Sequence, residues 1–219
     1  VSTIGQPERV TQNRVVALFR DELGYRHLGD WTDRDSNSNI EEALLSTWLT
    51  GRGYSAAQIG VALHKLRTEA ANQNRTLYGN NQAVYSLLRY GVPVKVEAGK
   101  VTETVHLIDW NPGKNDFAIA EEVTLAGNHE RRSDVVLYVN GIAIGLLELK
   151  NSRVTIGDGI RQCLSNQTPM FHEWFFSTVQ FIFAGNDSEG LQYGSIGHAG
   201  EILSEVEGRR GGQQPLQAR

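Results

Sequence analysis

A chain of 219 residues with 40% hydrophobic and 21% charged residues can bury one sizeable core, and its usage excludes disordered and collagen-like classes. No apolar run approaches the roughly 20 residues that cross a bilayer, and VSTIGQPERVTQ lacks the apolar stretch of a signal peptide, so a cytoplasmic protein with no membrane contact is expected. The net charge of −4 argues against a general basic grip on nucleic acid, and the lone Cys163 excludes an internal disulfide and a cysteine zinc cluster, leaving a buried thiol.

From Glu8 to Leu23, apolar residues recur at helical spacing and Gly24 stands at the expected stop. The polar stretch from Gly29 to Asn39 reads as turns, and a helix through IEEALLSTWLTGRGY follows it. Ser55 and Gln58 have the spacing of a capping box ahead of Ile59, Leu63 and Leu66. A further helix, NNQAVYSLLRYG, is expected to end near Gly91, which makes residues 1–91 a helical front part.

Beyond Gly91 the period changes to two. Strands are predicted at Val92 to Val96, Thr104 to Trp110, Asn115 to Leu125, Val135 to Val139, Ile142 to Leu149 and in FFSTVQFIFAGND from Phe175, with a helix around GDGIRQCLSNQ. Residues 92–200 therefore read as the sheet-bearing core, and the glycine- and glutamine-rich residues 201–219 as a tail or linker. The fold class is α/β (α+β), a mixed sheet flanked by helices. Val135 to Val139 and Ile142 to Leu149 are apolar at odd and even positions alike, which places them mid-sheet.

Glu148 and Lys150 end a strand that should be buried, where an unpaired charge costs several kcal/mol. Residues 148 and 150 share a face of their strand, as do Asp134, Val136 and Tyr138 on the strand before. A bare two-residue turn at Asn140-Gly141 would align even with odd positions and separate Asp134 from Glu148. A three-residue loop, Val139-Asn140-Gly141, or a bulge of equivalent parity, is therefore expected.

With that parity, two carboxylates and an ammonium group converge. Oxygens from Asp134 and Glu148, with the Leu149 carbonyl, suit Mg²⁺ better than zinc. Lys150 would orient a water or offset transition-state charge. On the residues alone, the alternative is a salt-bridged pair at a strand end. Arg131 and Arg132 are either phosphate contacts or solvated loop charges. The six histidines have no zinc-hydrolase spacing, and the four tryptophans are expected in the core.

At RRSDVVLYVNGIAIGLLELKN the chain resembles the PD-(D/E)XK nuclease superfamily. More closely it is similar to the N-terminal domain of the R subunit of type I restriction enzymes. LIDWNPGKNDF, AEEVTLAG, GDGIRQCLSNQ, NNQAVYSLLRYGVPVK and FAGNDSEGLQYG extend the resemblance over most of the chain.

The resemblance implies a PD-(D/E)XK endonuclease-like fold, catalytic positions at Asp134, Glu148 and Lys150, and a divalent metal, usually magnesium. It also implies that Gln162 fills the glutamine of a Q-x-x-x-Y motif, whose tyrosine position here is Asn166. Glu8 is the candidate for the superfamily's upstream helical glutamate. The implied partners are double-stranded DNA and the modification and specificity subunits. ATP would act only through motor domains of the longer protein, since VKVEAGKV lacks the glycine and the hydroxyl residue of a phosphate loop. This piece by itself is expected to cut little or not at all. A catalytically idle docking domain of the same complex is the competing expectation.

Overall fold

The computed structural model describes residues 8–97, 99, 101–125, 131–151, 153–168, 170–196 and the backbone of 204–205. Helix α1 (Glu8–Ala17) runs on through a wider π-helical turn, Leu18–Glu22. Strand β1 (Arg26–Asp30) follows, then α2 (Glu42–Gly51), α3 (Ala56–Ala70) and α4 (Leu77–Tyr90). The capping box forms as expected: Gln58 N–H donates to Ser55 Oγ, and Ser55 N–H donates to Gln58 Oε1 at 2.8 Å.

Strands β2 (Val92–Val94) and β3 (Glu103–Val105) make a separate antiparallel ribbon. The main sheet holds β4 (Phe117–Leu125), β5 (Arg131–Val139), β6 (Ile142–Lys150), β7 (Phe181–Asn186), β8 (Gly190–Gly194) and β9 (Ser204–Glu205), with β1 on one edge. Its order is β1-β4-β5-β6-β7-β8-β9. β1 is parallel to β4 and β6 to β7, while the other neighbours are antiparallel. The parallel step from β6 to β7 is carried by α5 (Ile156–Asn166). β5 and β6 lie inside the sheet, as their two-sided apolar pattern requires.

Three apolar clusters hold these layers. Val136, Tyr138, Leu146 and Ile182 on one sheet face pack with Cys163, Phe175 and Phe176. Ile119, Val135 and Leu147 on the other face pack with Val16 of α1. The helices α2 to α4 share a third cluster with β2, β3 and the first residue of β6, Ile142.

The hairpin takes the second of the two expected solutions, a bulge of equivalent parity, rather than the three-residue loop. Val139 pairs directly with Ile142 across Asn140 and Gly141, whose φ values of 54° and 85° are both left-handed. Such a turn matches the twist of its strands, which is why Asn-Gly favours it. The extra residue sits further along β6: Tyr138 pairs with Ala143 but Leu137 with Gly145, so Ile144 is bulged out. From there Val136 faces Leu146 and even meets even. Gln180 N–H donates to the Ile144 carbonyl at 2.7 Å, satisfying the group the bulge leaves unpaired.

Other expectations shift for local reasons. The 1–91 part is not wholly helical, because β1 pairs with β4 from within it. Only Glu103–Val105 of the run to Trp110 is strand; Asn115 then ties the loop, its Oδ1 accepting from Asp109 N–H at 2.9 Å. The run from Phe175 begins as a 3-10 turn, Glu173–Ser177, fixed by Asn81 Nδ2 donating to the carbonyls of Phe176, Ser177 and Val179. Within the 201–219 segment, Ser204 and Glu205 pair with β8, whose outer edge offers free backbone groups, and the rest lies outside the described residues. Trp31 is buried, but Trp110 is 66% and Trp174 is 41% exposed, so core packing does not account for those two. The Cys163 thiol is buried.

Candidate active site

Asp134 and Glu148 lie where β5 and β6 part. The ladder between the strands runs to Val135 and Leu147, and there the Asp134 side chain takes over: its Oδ2 accepts from Leu149 N–H at 2.5 Å. Glu148 is completely buried and Asp134 is 9% exposed. Lys150 Nζ stands 3.8 Å from Glu148 Oε2. From α5, Gln162 Nε2 donates to that same oxygen at 2.8 Å.

The bulge at Ile144 thus brings together Asp134, Glu148, Lys150 and Gln162. Leu149 enters through its N–H. Asn166 is buried with Oδ1 unpartnered among the described residues, and its carbonyl accepts from His172 N–H at 3.2 Å. Arg131 and Arg132 are the first residues of β5 rather than loop charges. Arg131 lies over the Phe171 ring at 4.3 Å, and Arg132 Nε pairs with Glu122 Oε2 at 2.6 Å.

Burial dominates the electrostatics. It pushes the Asp134 carboxyl up to about 6, against the lowering effects of the Leu149 N–H and Lys150, while the charges of Glu8 and Glu122 push it further up. Burial and then the Asp134 charge hold Glu148 well above the usual carboxylate range. Glu8, in the first turn of α1, adds to both.

Five site neighbours were not expected from the sequence. Gln12 Nε2 donates to the Asp134 carbonyl and to Glu121 Oε2, both at 3.3 Å. Glu121 also meets His27 Nε2 at 2.9 Å, and Glu122 accepts from Arg9 at 2.7 Å. Glu122 has φ of 51°, which switches the faces of β4, so that Ala118 and Ala120 before it and Val123 and Leu125 after it reach one core. Two adjacent acids in the apolar run AIAEEVTL were the available signal, the same signal that marks Glu148.

A divalent metal fits this donor set. Glu148 Oε1 is buried with no hydrogen-bond partner among the described residues, an arrangement that costs about 1–3 kcal/mol or more unless something binds it. The oxygens are hard donors suited to magnesium. Among the described residues no group of three or more His, Cys, Asp or Glu is placed to hold an ion, so Asp134 and Glu148 are the two carboxylates this site offers.

Raised carboxyls give a stability prediction. Their protonated forms contribute stability that is present below the ordinary carboxylate range and is lost as pH rises through about 6 for Asp134. In chelator at about pH 7.5, Asp134→Asn is expected to raise the thermal midpoint by several degrees, and the gain should vanish toward pH 4. Calorimetry across that range checks it; a gain that grows with acidity contradicts the sign.

A mixed sheet carrying an acid, a buried Glu-x-Lys and a following helix defines a PD-(D/E)XK-like nuclease fold. The chain belongs to the family of type I restriction enzyme R protein N-termini, whose model matches residues 5–197. It is also 29% identical over 116 residues to the putative type I restriction enzyme MjaIXP endonuclease subunit of Methanocaldococcus jannaschii, a match covering 50% of this chain. That match covers only 10% of the relative's length. No helix among the described residues is long and apolar enough to cross a membrane.

Proposed function

We propose that this R-subunit domain is a divalent-metal-dependent DNA endonuclease that hydrolyses phosphodiesters of double-stranded DNA. The single observation that carries the reading is the buried Glu148 Oε1, unpartnered among the described residues, beside Asp134 and Lys150. Asp134, Glu148 and the Leu149 carbonyl are the groups that would hold magnesium. The chemistry such an ion supplies when bound is polarisation of the phosphodiester and acidification of a water. Gln162 holds Glu148 Oε2 in place, and the Leu149 N–H holds Asp134. Lys150 orients the attacking water and offsets charge that grows on the phosphate. Arg131 and Arg132 stand near enough in sequence to Asp134 to take neighbouring phosphates, once Arg132 leaves Glu122.

In the full-length protein we place this domain, residues 1–200, ahead of ATP-dependent motor domains, working in the cytoplasm with modification and specificity subunits. Cleavage is coupled there to ATP-driven translocation, and the 219-residue chain alone cuts little or not at all.

The test is Glu148→Gln in the full-length subunit assembled with its partners. Plasmid cleavage is expected to fall at least about a hundredfold while ATP hydrolysis continues. Undiminished cleavage would favour the second reading, a catalytically idle docking domain, for which Asn166 in the motif's tyrosine position is the motivating observation.

A further inference from the structure

A carboxylate taken out of water is costly unless it is paired and hydrogen-bonded. Asp187, in the turn from β7 to β8, is such a group, with a side chain 6% exposed. Both of its partners come from α1. Thr11 Oγ1 donates to Asp187 Oδ2 at 2.9 Å, and the Arg14 guanidinium pairs with Oδ1. The turn is itself fixed, because Asn186 Oδ1 accepts from Glu189 N–H at 2.6 Å and Asn186 Nδ2 donates to the Val154 carbonyl at 2.8 Å. Asn186 is also the register partner of Lys150, so this anchor stands at the end of the sheet that carries Lys150.

What Asp187 holds is a helix with little apolar grip of its own. Of the ten residues of α1 only Thr11, Gln12 and Val16 are buried, and two of those are polar. A hollow of about 530 Å³ lies beside the helix, with Val15, Leu18 and Phe19 on one side and Leu147, Leu149 and Phe183 on the other. Apolar packing therefore fixes α1 weakly, and polar ties set its place. Arg9 ties its first turn to β4, donating to Glu122 Oε1 at 2.7 Å, and Thr11 and Arg14 tie it to Asp187. Between these ties sits Gln12, whose Nε2 donates to the Asp134 carbonyl at 3.3 Å.

We propose that Asp187 is a positioning residue for Asp134. Its bonds to Thr11 and Arg14 set where α1 lies, Gln12 beside Thr11 then holds the Asp134 backbone, and the Asp134 carboxylate keeps its bond from Leu149 N–H. Among the described residues Asp187 bonds to α1 and to neither Asp134 nor Glu148, so its effect passes through the helix. The bearing on cleavage rests on the nuclease reading; the seating of α1 does not.

The test reads backbone amide exchange of the chain by NMR in EDTA. Asp187→Ala is expected to speed exchange of Leu149 N–H at least about tenfold more than exchange of the α3 amides, because the opening is local. Gln12→Leu should do the same, and the double variant should be no faster than the faster single one, since both act through one helix. If Asp187→Ala fails to fold, Thr11→Val removes one of the two bonds and should speed Leu149 about threefold. Calorimetric titration with manganese links the seating to the site. Asp187→Ala should bind the ion at least about tenfold more weakly, and Asp187→Asn, which keeps an oxygen for Thr11, should recover part of that loss. Leu149 exchange that is unchanged, or that rises only as much as in α3, overturns the proposal. So do single-variant effects that multiply in the double variant, or manganese binding that is indifferent to Asp187→Ala. An unmodified chain that binds no manganese would count against the nuclease reading, and the exchange result would still decide this one.

Discussion

Lys150→Met in the assembled enzyme is expected to cut DNA at least about a hundredfold more slowly while keeping divalent-metal binding by the domain. The Lys150 side chain is 13% exposed, so methionine can occupy the space of its stem and the fold should survive. What is lost is the ammonium 3.8 Å from Glu148. Lys150 lowers both carboxyls, so without it each rises further and metal binding moves to higher pH. Asp134→Ala removes an oxygen donor and is expected to lose metal binding and cleavage together. Thermal shift with manganese, read beside plasmid cleavage, separates the two variants. Normal cleavage by Lys150→Met would remove this residue from the chemistry.

Asn140→Ala is expected to destabilise the domain by about 3 kcal/mol, lowering the thermal midpoint by roughly 6–12 °C. Asn140 is fully buried in the turn. Its Oδ1 accepts from Asp116 N–H at 2.8 Å, and its Nδ2 donates to the Leu107 carbonyl and to Asn115 Oδ1, each at 2.9 Å. Alanine leaves those groups buried and unpaired and disfavours a φ of 54°. Asn140→Gly removes the backbone penalty but not the hydrogen-bond loss, so its midpoint should fall between those of Ala and the unmodified chain. Equal midpoints for Gly and Ala would show that the left-handed backbone contributes nothing.

Much of the sheet was legible because its signals are local. Two-sided apolar strands placed β5 and β6 inside, and two charges ending such a strand marked Glu148 and Lys150. β1 was missed because RHLGD has no period-two pattern; its pairing with β4 comes from the partner strand. Gln12 was missed because a glutamine on an amphipathic helix carries no sign of which carbonyl it will meet. Glu122 was missed although it repeats the buried-charge signal.

What the sequence determined by itself was chemistry and local geometry: an Asn-Gly turn able to hold two left-handed residues, a capping box, and an acid and a Glu-x-Lys on adjoining strands. It also required that some extra residue restore even-to-even pairing. Only the tertiary structure decided which one. Ile144 can bulge because Gln180, beyond α5, supplies the N–H its carbonyl needs and the helical layer packs its side chain. Both partners are distant in sequence, and a hydrogen bond between remote segments leaves no periodicity to read.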